Sequence, residues 1–352
     1  MRISPERLEH EAESTGFKAD VLEKAALLLG ALEAICNHPA LKGRLVLKGG
    51  TALNLFVFQI PRLSVDIDLN YVGAQSREEM LKERPKIERA IQEVFNRENF
   101  AVKRIPQEHA GGKWSLRYPS ALGQSGRLDV DINFMYRVPL WPVTTMSSRS
   151  LGTWKANDIP VMEIHELTAG KLAALLSRRR ARDLFDTCQI FSMDNLDFKR
   201  LRIAFVVYGA MHRKDWRTVS ITDVAFDVGE IENQLVPLLH PDTTQGPKGA
   251  ENYGNMLVEK CRQGLSVVLP FNDAERAFLD LLLEKGEIDA TILTSDKSLQ
   301  NRIQAQPLLQ CNGRHLTCSA IEDHEVLISD SLAYPYFVWK NRAHNRKDSD
   351  PA

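Results

Sequence analysis

Apolar positions recur at helical spacing from Val21 to Cys36, within residues 1–43, which read as mostly helical. Leu45-Val46-Leu47 is a short apolar run that stops at Gly49-Gly50, the pattern of a buried strand entering a tight turn. Thr51 to Phe58 then reads as a helix with Thr51 placed to cap it. From Val65 to Tyr71 the chain alternates. Val65, Ile67 and Leu69 leave one face of a strand and Asp66 and Asp68 the other. Arg77 to Asn99 is a charged amphipathic helix, and Phe100 to Arg104 and Lys113 to Tyr118 are predicted strands. Arg127 to Phe134 alternates again, with Leu128, Val130, Ile132 and Phe134 opposed to Asp129, Asp131 and Asn133. After a short strand at Ile159 to Met162, residues 163–192 form the strongest helical stretch, with a break near Arg180. From about residue 195 the pattern is helical, interrupted by a Gly/Pro/Thr-rich loop at His240 to Ala250 and followed by an amphipathic helix from Asn272 to Lys285.

Strands early and helices late predict an α+β fold, with a small mixed sheet flanked by helices and then a mostly helical C-terminal region. We place a core with its N-terminal helices at 1–194, a helical domain at 195–340 and a disordered tail at 341–352.

Bulk composition narrows the function classes. The 352 residues are 43% hydrophobic and 26% charged, as in ordinary globular proteins. No apolar run is long enough to span a membrane, and Met1 to Asp20 has no secretory h-region. The five cysteines are widely spaced with no CxxC pair, which argues against a disulfide framework or a zinc site and favours a reducing cytoplasm. The net charge is −1, so any nucleic-acid surface must be a local patch. Arg178, Arg179, Arg180 and Arg182 are the candidate patch, with a solvated face as the alternative, and a second basic run, Lys340 to Lys347, reads as a solvated tail.

The chemistry begins with carboxylates. Asp66 and Asp68 leave the same face of one strand and Asp131 the polar face of another, so all three converge if those strands are neighbours. Clustered carboxylates repel, and a hard divalent cation bound through oxygen relieves them. Such a site suits phosphoryl chemistry. Ahead of it, Lys48-Gly49-Gly50-Thr51 joins a strand to a helix. This is either a phosphate cradle of backbone N–H groups or a plain turn capped by Thr51. It lacks the order of a Walker A loop. Lys171 borders the apolar Leu172, Leu175 and Leu176. Its ammonium either meets a phosphate or snorkels to water. Arg182 and Asp186 can pair across one helical turn, while Asp183 can instead orient Lys171 or a basic residue of the site. His165 has no second histidine at metal-ligand spacing and reads as structural or solvent-facing.

The run "LVLKGGTALNLFVFQIPRLSVDIDLNY" resembles the AbiEii/AbiGii toxin family of nucleotidyltransferases, which includes the mycobacterial MenT toxins and belongs to the polymerase-β-like superfamily. "RLDVDINF" is similar to that family's third-carboxylate strand and "HELTAGKLAALLSRRRARDLFD" to its later helical motif. The resemblance covers roughly residues 40–310 and stops after Gln310. It implies a polymerase-β-like nucleotidyltransferase core. It implies catalytic Asp66, Asp68, Asp131 and Lys171, the three aspartates binding Mg²⁺ or Mn²⁺. Lys48, Gly49, Gly50, Thr51, Arg62, Ser64, Arg182 and Asp183 become the nucleotide-binding set, with Arg62 either on phosphate or capping a loop. The expected activity is transfer of a nucleotide from an NTP to an acceptor, with tRNA the first candidate and pyrophosphate released, in a toxin–antitoxin or phage-defence pair whose antitoxin is encoded separately. The alternatives are nucleotidylation of a protein and a nucleotide-binding regulator without transfer activity.

Overall fold

The computed structural model describes residues 3–106, 110–194, 196–244 and 249–311. The predicted tail at 341–352, the basic run at Lys340 to Lys347 and most of the stretch after Gln310 lie outside the described residues.

A mixed seven-stranded sheet organises the N-terminal half, in the order β3-β4-β5-β2-β1-β7-β6. Its strands are β1 (Leu45–Lys48), β2 (Asp66–Tyr71), β3 (Ala101–Arg104), β4 (Gly111–Pro119), β5 (Ser125–Asn133), β6 (Thr144–Met146) and β7 (Ile159–Val161). β2 runs parallel to β5 and β1 parallel to β7, while the other pairs are antiparallel. The alternation read from sequence sets the two faces. Leu47, Ile67, Leu69, Val130 and Ile132 are all buried on one. Against that face packs α2 (Ala19–Asn37), with α1 (Pro5–Thr15) beside it. α4 (Arg77–Arg97) packs on α2 and buries Met80, Ile87, Ile91, Val94 and Phe95 at helical spacing. Sequence pattern did not pick out β6, whose three residues carry no apolar alternation.

One local expectation is corrected. The helix after β1 starts at α3 (Gly49–Thr51) and continues as a π-helical turn, Ala52–Val57. Thr51 therefore lies inside the helix and does not cap it. Its buried hydroxyl donates to the Asp66 carbonyl and lies 2.8 Å from Ser64 Oγ. The residue ties the helix to β2 instead.

The predicted break near Arg180 is present. α5 (Ile164–Ser177) and α6 (Ala181–Phe191) are separated by Arg178-Arg179-Arg180. Helices α7 (Phe198–Ala210), α8 (Val228–Glu230), α9 (Ala250–Leu265), α10 (Asp273–Asp280) and α11 (Lys297–Gln304) follow. α7, α9, α10 and α11 form a second hydrophobic core with α5 and α6, built around Leu172, Phe185, Phe205, Trp216, Leu257 and Phe278. Among the described residues no helix is long and apolar enough to cross a membrane.

Because Ile67 is completely buried under α2 and α4, Ile67→Ala is expected to lower unfolding free energy by about 2–5 kcal/mol. Urea denaturation read by circular dichroism checks this; a loss below about 1 kcal/mol would mean the sheet face is not the packed surface described.

Candidate active site

The polar face of the sheet is a set of rows, because strand register brings like positions side by side. Lys48 of β1 lies opposite Asp68 of β2, Asp68 beside Asp131 of β5, and Asp131 opposite Lys113 of β4. One row toward solvent, Asp66 pairs with Asp129. One row inward, Asn70 pairs with Asn133. The sheet thus assembles Asp66, Asp68 and Asp131, as alternation on two strands required. It also adds a fourth acid, Asp129, which was visible on the polar face of β5 but was given no role. Asp129 is held by Arg127, 2.9 Å away, with Lys113 at 3.9 Å.

Gly49 adopts a positive φ of 73°. A Cβ there would fall 2.5 Å from Asp68 Oδ2, so only glycine keeps that carboxylate clear. At Gly50 a Cβ would come within 3.0 Å of Arg62 Nη2 and 3.4 Å of Ser64 Oγ. The two glycines therefore leave backbone open toward the acids and toward Ser64.

α5 and α6 close the cleft from above with a charged network. Arg62, 2% exposed, donates through Nε to Asp186 Oδ1 at 2.8 Å and through Nη2 to Oδ2 at 2.7 Å. Asn54 donates to the same Oδ1 at 3.0 Å. The Lys171 ammonium bridges Asp183 Oδ1 at 2.8 Å and Asp186 Oδ2 at 2.9 Å, and Arg178 Nε donates to Asp183 Oδ2 at 2.6 Å. Burial by itself would raise both aspartates. Arg178 and Lys171 at Asp183, and Arg62 and Lys171 at Asp186, outweigh it and hold both carboxyls below the usual range.

Two expectations change here. The pair expected between Arg182 and Asp186 does not form, because Asp186 turns inward to Arg62 and Lys171 while Arg182 reaches across to Asp66 Oδ2 at 3.4 Å. The arginine run is not one open patch either. Arg178 is engaged by Asp183, Arg180 by Glu230 and Arg182 by Asp66. The expected orientation of Lys171 by Asp183 is present, and His165 is structural: buried, 2.7 Å from Glu163, and accepting from the Asp197 N–H.

Lys48 contrasts with Lys171. It is 7% exposed and lines the cleft, yet no described residue accepts a hydrogen bond from its ammonium. The Tyr136 ring centroid lies 5.9 Å away. Burial pushes the lysine down, and Asp68 and Asp131 pull it back up. Asp68 is pushed up to about 6, chiefly by burial. Lys48 opposes that shift, and Asp131 and Asp66 add to it.

These groups line a cleft of about 600 Å³ that is also lined by Tyr136, Met162, Glu166, Leu167, Gly170 and Tyr208. Sequence reading assigned Glu166 no role. Its buried carboxylate accepts from the Leu140 N–H (2.9 Å), the Trp141 N–H (3.1 Å) and the Tyr208 hydroxyl (3.0 Å). Nothing in local pattern marks it, since its partners are 25, 26 and 42 residues away.

Whether the acids suit a divalent cation has two answers. Among the described residues no three His, Cys, Asp or Glu side chains stand at metal-ligating separation. The donor chemistry does fit. Hard oxygens from Asp66, Asp68 and Asp131 share one sheet face, Asp68 is already pushed toward protonation beside its neighbours, and the missing Cβ of Gly49 leaves its Oδ2 unobstructed.

Comparison with known proteins identifies the family and the fold. The family model for the nucleotidyl transferase AbiEii toxin of type IV toxin–antitoxin systems matches residues 30–259. Among solved structures, MenT4, a nucleotidyltransferase toxin from Mycobacterium tuberculosis H37Rv, aligns over 86% of this chain and 98% of its own with a TM-score of 0.55. At 16% identity the likeness is one of fold. No curated protein matches the sequence.

Removing Asp186 would strand the buried Arg62 guanidinium. Asp186→Ala is expected to cost about 3–5 kcal/mol in urea unfolding, whereas Arg182→Ala, at a half-exposed pair, costs under about 1 kcal/mol. Equal losses would contradict the hub described. Glu166 gives a pH signature. Burial lifts its carboxyl from 4.5 to about 7, against the N–H and hydroxyl donors. Between those values the folded chain binds more proton than the unfolded one, so this group makes stability fall as pH rises through that window. Glu166→Gln should flatten the stability curve relative to wild type from pH 4.5 to 7; parallel curves would refute the assignment.

Proposed function

This chain belongs to the AbiEii family of nucleotidyl transferase toxins of type IV toxin–antitoxin systems, and we propose that it transfers a nucleotide from an NTP to a hydroxyl of an acceptor RNA, tRNA being the first candidate, with release of pyrophosphate. The family pairs such a toxin with an antitoxin. The observation that carries the reading is the row Lys48, Asp68 and Asp131 beside the Gly49-Gly50 turn.

In the reaction the acceptor oxygen bonds to the α-phosphorus, the bond from that phosphorus to the β-bridging oxygen breaks, and the hydroxyl proton is released. Catalysis is then positioning and charge stabilisation. A divalent cation, Mg²⁺ or Mn²⁺, held by Asp66, Asp68 and Asp131 would offset charge on the α-phosphate and the entering oxygen. The open backbone at Gly49 and Gly50, with Ser64 behind it, receives the outer phosphates. Thr51 supports this cradle from inside, since its hydroxyl is committed to Asp66 and Ser64.

The cations divide the work. Lys171 and Arg62 are matched by Asp183 and Asp186 within the protein, so their first role is to hold α5, α6 and the glycine helix in register. Asp183 acts on the site through Lys171 and Arg178. Lys48 meets no acceptor among the described residues and faces the cleft, so the triphosphate is its natural partner. At the open end Lys113, Arg127 and Arg182 surround Asp66 and Asp129. These cations favour an acceptor that carries phosphates.

The test is transfer from each α-labelled NTP to total tRNA with Mg²⁺. Label on tRNA is expected with wild type. Asp66→Asn/Asp68→Asn should abolish it with an unchanged circular dichroism spectrum. Lys48→Met should lower kcat/KM by about 100-fold, on the order of 2.7 kcal/mol of transition-state stabilisation. Label on protein alone would replace the acceptor, and bound NTP without any transfer would leave a nucleotide-binding regulator.

A further inference from the structure

Asn70 sits on β2 two residues beyond Asp68, on the same face and one row deeper. It is 1% exposed and lines the cleft, yet its carboxamide makes no hydrogen bond with the described residues, and Oδ1 is sealed from water. Its register partner Asn133 behaves differently, accepting from the N–H groups of Met135 and Tyr136. A buried amide that finds no partner destabilises the fold that holds it. Such a group is explained when a ligand completes it.

Position says which part of a ligand arrives there. Exposure falls inward along β2, from Asp66, whose side chain is 34% exposed, to Asn70. An acceptor as large as an RNA end enters only from the Asp66 side, which leaves the closed end to the nucleoside of the NTP. Two residues of strand advance about 6.6 Å. With the α-phosphate at Asp68, that step reaches the sugar and stops short of the base. The same cleft is lined by Tyr136, Met162, Leu167 and Gly170, flat or apolar surfaces suited to a base. A Cβ at Gly170 would make ordinary contact with the Tyr208 ring at 3.6 Å.

The chemistry matches as well. A half-turn of a carboxamide exchanges Oδ1 and Nδ2 within the same volume, so Asn70 can offer an acceptor or a donor. A hydroxyl can answer either. Resting on the nucleotidyl-transfer reading above, we infer that Asn70 hydrogen-bonds a ribose hydroxyl of the bound NTP and makes the site select the ribonucleoside triphosphate over the form that lacks that hydroxyl, 2′-deoxy or 3′-deoxy. Asn70 is a specificity residue that touches substrate away from the reacting phosphorus.

The experiment measures equilibrium binding of the four NTPs and their 2′-deoxy and 3′-deoxy counterparts to the full chain with Mg²⁺, beside labelled transfer from the same nucleotides. Wild type is expected to bind its preferred NTP about tenfold or more tighter than the 2′-deoxy or the 3′-deoxy form, about the worth of one hydrogen bond in a closed site. Asn70→Ala should weaken the NTP to the level of that deoxy form and leave the deoxy form unchanged. Asn70→Ser, which retains a hydroxyl, should recover part of the difference. Since the carboxamide has no partner among the described residues to lose, both variants are expected to fold, and wild type alone already tests the sugar preference. Equal binding of ribo and deoxy forms by wild type would overturn the inference, as would an Asn70→Ala variant that weakens all forms alike. Sugar-selective binding without transfer would retain it and reject the transferase reading. Transfer with no sugar preference would do the reverse.

Discussion

Asp186 is the contact on which the site depends. Both of its oxygens are buried, and they are shared among the Arg62 guanidinium, the Asn54 amide and the Lys171 ammonium. Those three groups come from the turn before β2, the helix after β1 and α5. One side chain on α6 therefore pins the sheet to the helical half. An ion pair taken out of water carries a desolvation cost that its Coulomb energy only partly offsets. What it supplies is geometry, because an unmatched charge in that position is far worse than a matched one. The relative placement of the two cores is thus specified by charge as well as by apolar packing.

The same hub explains how a cleft crowded with cations keeps selective electrostatics. Arg62, Lys171 and Arg178 spend their charge on Asp183 and Asp186. Lys48, one row from the acids and buried against Tyr136, has no such acceptor among the described residues. The fold holds Asp68 and Lys48 together under desolvation, each shifted toward its neutral form.

Asn70 and Glu166 show two outcomes for polar groups at the closed end. Glu166 is saturated by two backbone N–H groups and a tyrosine hydroxyl, and it fixes the 140–141 segment against α5 and α7. Asn70 is left without a partner among the described residues. The first is a structural clamp with a pH signature. The second is a buried carboxamide left open on the cleft wall.

Alternation alone determined that Asp66 and Asp68 share a face and that Asp131 occupies the polar side of a second strand. Side chains leave a strand with period two whatever surrounds it. Helical spacing likewise marked α2, α4 and the interrupted pair α5 and α6, since an apolar stripe is a local property of the chain. Strand neighbours and register are not local. Only the parallel pairing of β2 with β5 set Asp68 beside Asp131 and brought Asp129 and Asn70 into the same surface. The partner of a charge is no more local. Arg182 and Asp186 satisfied the spacing for a helical pair, yet a buried carboxylate takes the cations that tertiary packing delivers, here from 15 and 124 residues away. The residue types and their faces were legible in the sequence. The partners of each charge were decided by the fold, because desolvated groups pair by proximity in space.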